Sequence, residues 1–134
     1  MNRFSIPACL AALLLSAGLS LPAQAYTDEG RLPFVGQPGE LPAELALRFV
    51  HARLGQHGRF DYRTLSLVQQ SEPEAFDSVR MEIVRDGLMD DSLAAVRQRL
   101  ALDWRDGAWR IVGVEEDFRC RRGEERGWTR RPCP

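Results

Sequence analysis

The chain contains no lysine, only two histidines and only three cysteines in 134 residues. All 18 basic side chains are arginine, which suits planar bidentate contacts but also follows from a GC-rich coding bias. Against them stand 19 acidic residues, for a formal charge of −1. That balance gives no reason to expect a nucleic-acid partner. His51 and His57 are not accompanied by a Ser-His-Asp order, a Gly-x-Ser-x-Gly elbow, a phosphate loop or metal-ligand spacing. No nucleophile–base pair can be assembled. Enzymatic chemistry would have to rest on His51 or on an acidic residue such as Glu115, and neither an enzyme, a cofactor nor a metal is expected.

Long apolar runs are also scarce. The main one, residues 6–21, follows Arg3 and ends just before Ala23-Gln24-Ala25. A basic start, a short apolar core and a small-x-small triplet make an export signal. The run is too short for a stable membrane anchor. Cys9 lies at its beginning, where a lipoprotein cysteine would lie at its end. Residues 1–25 are therefore expected to be a signal peptide cleaved before Tyr26. The remaining 109 residues carry a formal charge of −2 and have room for one core. A periplasmic or secreted address follows, and with it an oxidising compartment. Cys120 and Cys133 survive processing, and an even count in an exported chain reads as a disulfide. The competing metal reading lacks a histidine near either cysteine.

Residues 26–42 are dense in glycine and proline and read as an irregular leader, with Phe34 and Val35 available to pin it to the body. The single domain then spans 43–134. Pro42 suits a first helical turn and Gly55 a helix end. Between them Ala43, Ala46, Leu47, Val50 and Leu54 share a face, widened by Leu45 and Phe49. Glu44 and Arg48 form an i,i+4 pair in the favourable order. Residues 60–78 are ambiguous, although FDYRTLSLV is compatible with a strand. Alternation sharpens from Val79. Asp106-Gly107 suits a type I′ hairpin, and Asp90-Asp91 marks the preceding turn. This register sets Trp104 opposite Trp109, Leu102 opposite Ile111 and Leu100 opposite Gly113. It also sets Val79 opposite Leu102, Met81 opposite Leu100 and Glu82 opposite Arg99. Asp103 then meets Arg110, and Arg97 meets Glu116. Apolar residues share one face and opposite charges the other, so a slip of one residue would destroy both patterns.

A helix followed by an antiparallel meander is α+β. The broad apolar arc and Gly113, where a bulge could form, suggest a curved sheet wrapped on the helix. By element order it resembles the cystatin-like or NTF2-like cone. Asp-Gly-Leu-Met-Asp-Asp-Ser, the strand ending in Phe118-Arg119-Cys120, the loop with Gly123 and Gly127, then Trp128 and Cys133, are similar to the C-terminal half of small uncharacterised exported bacterial proteins. There a strand ends in Trp-Arg-Cys, a Gly/Arg-rich loop follows, and a Trp and a last Cys close the chain. Glu124 and Glu125 interrupt the basic loop of that pattern. The resemblance spans residues 79–134 and implies layout only.

The same register puts Arg85, Gln98, Glu115 and, farther along, Asp117 on the core-side face, where they could rim a ligand pocket or simply project past the core. A bulge at Gly113 would move Glu115 to the other face. Arginines 119, 121, 122, 126, 130 and 131 lie among acidic residues and read as a mixed solvated tail, with Trp128 as a plug over a sheet end. The expected function is a non-catalytic binding or interaction module of the cell envelope, taking a small ligand or an envelope protein. The alternative is a small secreted inhibitor of an envelope enzyme.

Overall fold

The computed structural model describes residues 31–134, so the expected signal peptide and its cleavage site lie outside the described residues. The elements run β1 (Phe34–Val35), α1 (Pro42–Leu54), β2 (Thr64–Gln70), β3 (Ser78–Asp86), β4 (Leu93–Arg105) and β5 (Ala108–Cys120). The strands form one antiparallel sheet in the order β1-β5-β4-β3-β2. Among the described residues the fold is α+β, one helix against a five-stranded open sheet.

The helix begins where the residue types favour it. Pro42 occupies the first turn, whose amides have no helical partner in any case. Leu41 offers no capping oxygen, and the Glu44 carboxylate instead accepts the Leu41 N–H at 2.8 Å. Arg48 does not pair with Glu44. It donates to both oxygens of Glu40, at 2.9 and 2.8 Å, and lies 4.7 Å from the centre of the Phe34 ring. Phe34 in turn meets Phe49 edge-on at 5.1 Å. The helix's buried face is Pro42, Leu45, Ala46, Phe49 and Val50. Leu47, which helical spacing alone assigns to the core, is 38% exposed. The helix ends at Gly55, where a Cβ would collide with the Arg59 carbonyl oxygen.

The buried helix residues pack on Val79, Met81, Ile83, Leu100, Leu102 and Ile111. Each side chain of that size contributes roughly 1.5–3 kcal/mol when fully buried. Trp104 and Trp109 are cross-strand partners with ring centres 5.6 Å apart. Asp106 and Gly107 both have positive φ, 53° and 80°, as a type I′ turn requires. The β3–β4 pairs are those the alternation predicts, from Val79 with Leu102 to Arg85 with Val96.

The far half of β5 departs from expectation. Leu102 pairs with Ile111 but Ala101 pairs with Gly113, leaving Val112 as the extra residue of a bulge. Leu100 therefore faces Val114, not Gly113, and Arg97 faces Asp117, not Glu116. Strict alternation would have aimed Gly113, with no side chain, at the core. The bulge sends Val114 there, packed against the core cluster, and leaves Val112 43% exposed. A single inserted residue exchanges the faces of everything after it.

Glu40 supplies a stability switch. The Arg48 guanidinium, aided by the Gln37 N–H, holds its carboxyl below the ordinary value of 4.5. Asp86 is likewise held below 3.8, by Arg119 first and by the Gly87 N–H. A depressed folded-state value stabilises the fold above the unfolded value, and that contribution is lost as pH falls through the folded one. Urea midpoints should therefore decline as pH drops below about 4.5. Glu40→Gln should lower the neutral-pH midpoint and flatten the acid limb. An unchanged limb in the variant would show that this pair does not set it.

Candidate functional site

The four polar residues that simple alternation places together are split by the bulge. Arg85 stays on the helix side, but it closes the helix: Nη1 donates to the Arg53 carbonyl at 2.6 Å and lies 3.9 Å from Asp61. Gln98 is also on the helix side and only 2% exposed. It stands between Ile83 and Glu116, and its Nε2 donates to the Glu116 carboxylate at 2.9 Å. Glu115 and Asp117 are on the opposite, outer face. The expected rim of Arg85, Gln98 and Glu115 does not assemble, because Glu116 takes the place beside Gln98.

On the outer face the carboxylates gather arginines instead. Asp117 is 3% exposed. It accepts from Arg97 at 3.0 and 2.8 Å and lies 3.0 Å from Arg99 and 3.6 Å from Arg130. Glu115 lies 3.0 Å from both Arg99 and Arg130. Several donors around one buried carboxylate make a site that would be costly to leave half-paired.

The tail completes this cluster. Cys120 and Cys133 are joined, with Cα atoms 5.3 Å apart. Phe118 and Thr129 exchange backbone hydrogen bonds of 2.7 and 2.9 Å, so the returning chain adds one rung to β5. Trp128 does not plug a sheet end. Its ring lies 4.5 Å from the Arg97 guanidinium and 5.5 Å from that of Arg119. The tail arginines are not uniformly solvated either. Arg121 donates to the Leu88 and Asp90 carbonyls at 2.6 and 2.8 Å, and Arg119 pairs with Asp86 at 2.6 Å.

Beside the cluster is an open depression of about 630 Å³ on the outer face. Its floor is made by Ala101 and Gly113, the pair just past the bulge; a Cβ on Gly113 would touch the Ala101 Cβ at 3.5 Å. Val68 and Gln70 of β2 form one rim, Arg80 and Glu82 of β3 stand next to it, and Arg99 and Glu115 close the other side. Arg99 is engaged by Glu115 and Asp117, and Glu82 lies 3.7 Å from Arg97. Arg80 is in no ion pair among the described residues. Small residues at the floor, Val68 at the edge and one uncommitted cation suit a partly apolar, acidic ligand.

Of the candidate ligand-binding residues Arg85, Gln98 and Glu115, only Glu115 belongs to this depression. Ala101, Gly113 and Arg80 escape a search for chemically distinctive residues, and the small pair becomes adjacent only through the bulge. His51 and His57 are exposed, and His57 borders a separate hollow at the helix end with Arg53 and Arg85. Among the described residues no cluster of His, Cys, Asp and Glu could hold a metal, and no helix is long and apolar enough to cross a membrane. No protein family, curated protein sequence or solved structure matches the chain.

Proposed function

We propose that the chain is a non-catalytic binding module of the bacterial cell envelope that works through the outer face of its sheet. The reading takes the architecture as cystatin-like, with the helix side filled by side chains and binding displaced to the opposite face. The disulfide and the signal-like N-terminus support an exported, oxidising setting. The observation that carries the reading is the depression floored by Ala101 and Gly113 and overlooked by Arg80. Its occupant is an amphiphile with an apolar body and one acidic head group. The body lies over the small floor residues and Val68, and the head meets the Arg80 guanidinium, which can bind a carboxylate or sulfonate through two parallel N–H groups.

The test is a fluorescence titration with 8-anilinonaphthalene-1-sulfonate, which carries both features. Saturable enhancement is expected. Arg80→Glu should weaken it about tenfold, the equivalent of about 1.4 kcal/mol. Ala101→Phe fills the floor from an exposed position and should remove it while the circular dichroism spectrum is unchanged. Enhancement that survives Ala101→Phe contradicts the reading.

A further inference from the structure

The chain leaves the helix through a tightly built turn. Gln56 and Arg59 exchange two backbone hydrogen bonds of 2.9 Å around His57 and Gly58, whose φ angles are 52° and 75°. Positive φ at both central residues is type I′ geometry, and it is uncommon for a residue other than glycine. Gly55 allows the Arg59 carbonyl to lie against the helix end, where a Cβ would collide with it. The turn, the last helical turn and Arg85 of β3 together surround an open hollow of about 600 Å³.

Charge in this hollow is one-sided. Arg53, Arg59 and Arg85 line it, against the single carboxylate of Asp61. Neither Arg53 nor Arg59 is in an ion pair among the described residues. The Arg85 side chain is 15% exposed and is fixed through Nη1, which lies 2.6 Å from the Arg53 carbonyl and 3.9 Å from Asp61. Its Nε and Nη2 take no part in either contact. The bond to Arg53 also offsets an opposing effect. Carbonyls at a helix C-terminus carry partial negative charge that repels anions, and here one of them is engaged by a guanidinium. His57 adds its ring, and Phe60, 64% exposed, adds an apolar wall.

We propose that this hollow is a second binding site, separate from the outer-face depression, for a phosphate monoester with a small apolar group. The excess of two positive charges matches such an ester, which carries close to two negative charges above about pH 7. A monocarboxylate leaves one of them unmatched. Guanidinium groups suit phosphate oxygens because two of their N–H groups bind in parallel. Arg85 is the fixed member, Arg59 and Arg53 close on the phosphate from the turn and the helix, and the ester group lies against Phe60. Arg53 and Arg59 are exposed, so screening by salt holds the dissociation constant to roughly 0.1–1 mM.

The test is a titration of the processed, disulfide-intact chain with phenyl phosphate at about pH 7.5, followed by backbone amide and arginine side-chain resonances. Saturable shifts are expected at Arg53, His57, Arg59 and Arg85. Inorganic phosphate should shift the same residues with several-fold weaker affinity, and acetate should give no saturable shift. Arg59→Glu and Arg53→Gln alter exposed side chains and should each raise the dissociation constant, the first at least about tenfold, with the circular dichroism unchanged. Phe60→Ser should erase the preference for phenyl phosphate over inorganic phosphate. Arg80→Glu, in the outer-face depression, should leave the titration unchanged. The absence of saturable shifts with either phosphate overturns the proposal, as do shifts centred on Val68, Ala101 and Gly113, or binding unmoved by Arg59→Glu. Equal affinity for the two phosphates, or for acetate, overturns the assignment to a monoester.

Discussion

Replacing Leu102 with alanine should destabilise the protein by about 2–5 kcal/mol, the range for truncating a fully buried leucine. Leu102 is wholly inaccessible. It pairs with Val79 on one side and Ile111 on the other, and it belongs to the cluster beneath Leu45 and Phe49. The lost methyl groups leave a void bounded by two strands and a helix, none of which can collapse without disturbing the hairpin. Leu47→Ala is the informative comparison. Helical spacing puts Leu47 in the core, yet it faces solvent in part, and its truncation should cost no more than about 1 kcal/mol. Urea unfolding of both variants measures the contrast. Equal losses would mean that the helix is rotated relative to the packing described.

Removing the disulfide as Cys120→Ser with Cys133→Ser should cost about 2–4 kcal/mol. The bond closes a separation of 13 residues, and in the chain-entropy account a loop of about that length is worth near 3 kcal/mol. Apart from the bridge, the tail is held by the Phe118–Thr129 rung, by Trp128 against Arg97 and Arg119, and by Arg130 on Glu115 and Asp117. These contacts are few, so the tail should come free before the sheet opens. Amide exchange at Thr129 should accelerate strongly in the variant, with Leu100 and Ile111 remaining protected. Thiol labelling of the unreduced, denatured chain should find neither Cys120 nor Cys133 free. Two free thiols would remove the basis for the tail's order.

The strands were legible where one face is buried and the other wet. Val79, Met81 and Ile83 alternate with charged residues, and so do Leu100 and Leu102, so the β3–β4 register can be written from the sequence. The Asp106-Gly107 turn then fixes the near half of β5. The far half was not legible, because local pattern cannot decide whether Gly113 or Val114 faces Leu100. That choice is made by the core, which gains a valine side chain from the bulge. Glu115 and Asp117 change faces as a consequence, and Glu116 arrives beside Gln98. Edge strand β2 alternates poorly for a different reason: both its faces are largely exposed, so neither selects for apolar residues. Arg85 lies on the face that alternation predicts, but its partner is a helix-terminal carbonyl, a long-range contact with no local signature. The depression depends on Ala101 and Gly113, residues whose contribution is the volume they do not fill.

Binding through the outer face is most directly tested by following backbone amide resonances while the processed chain is titrated with dodecanoate, an apolar chain with one carboxylate. The expected result is saturable shifts concentrated at Val68, Arg80, Ala101, Gly113 and Glu115, with the Arg80→Glu variant showing weaker binding at the same positions. Shifts centred on Leu45, Gln98 and Leu102, or around Arg85 at the helix end, would place the ligand on the helix side and contradict an outer-face site.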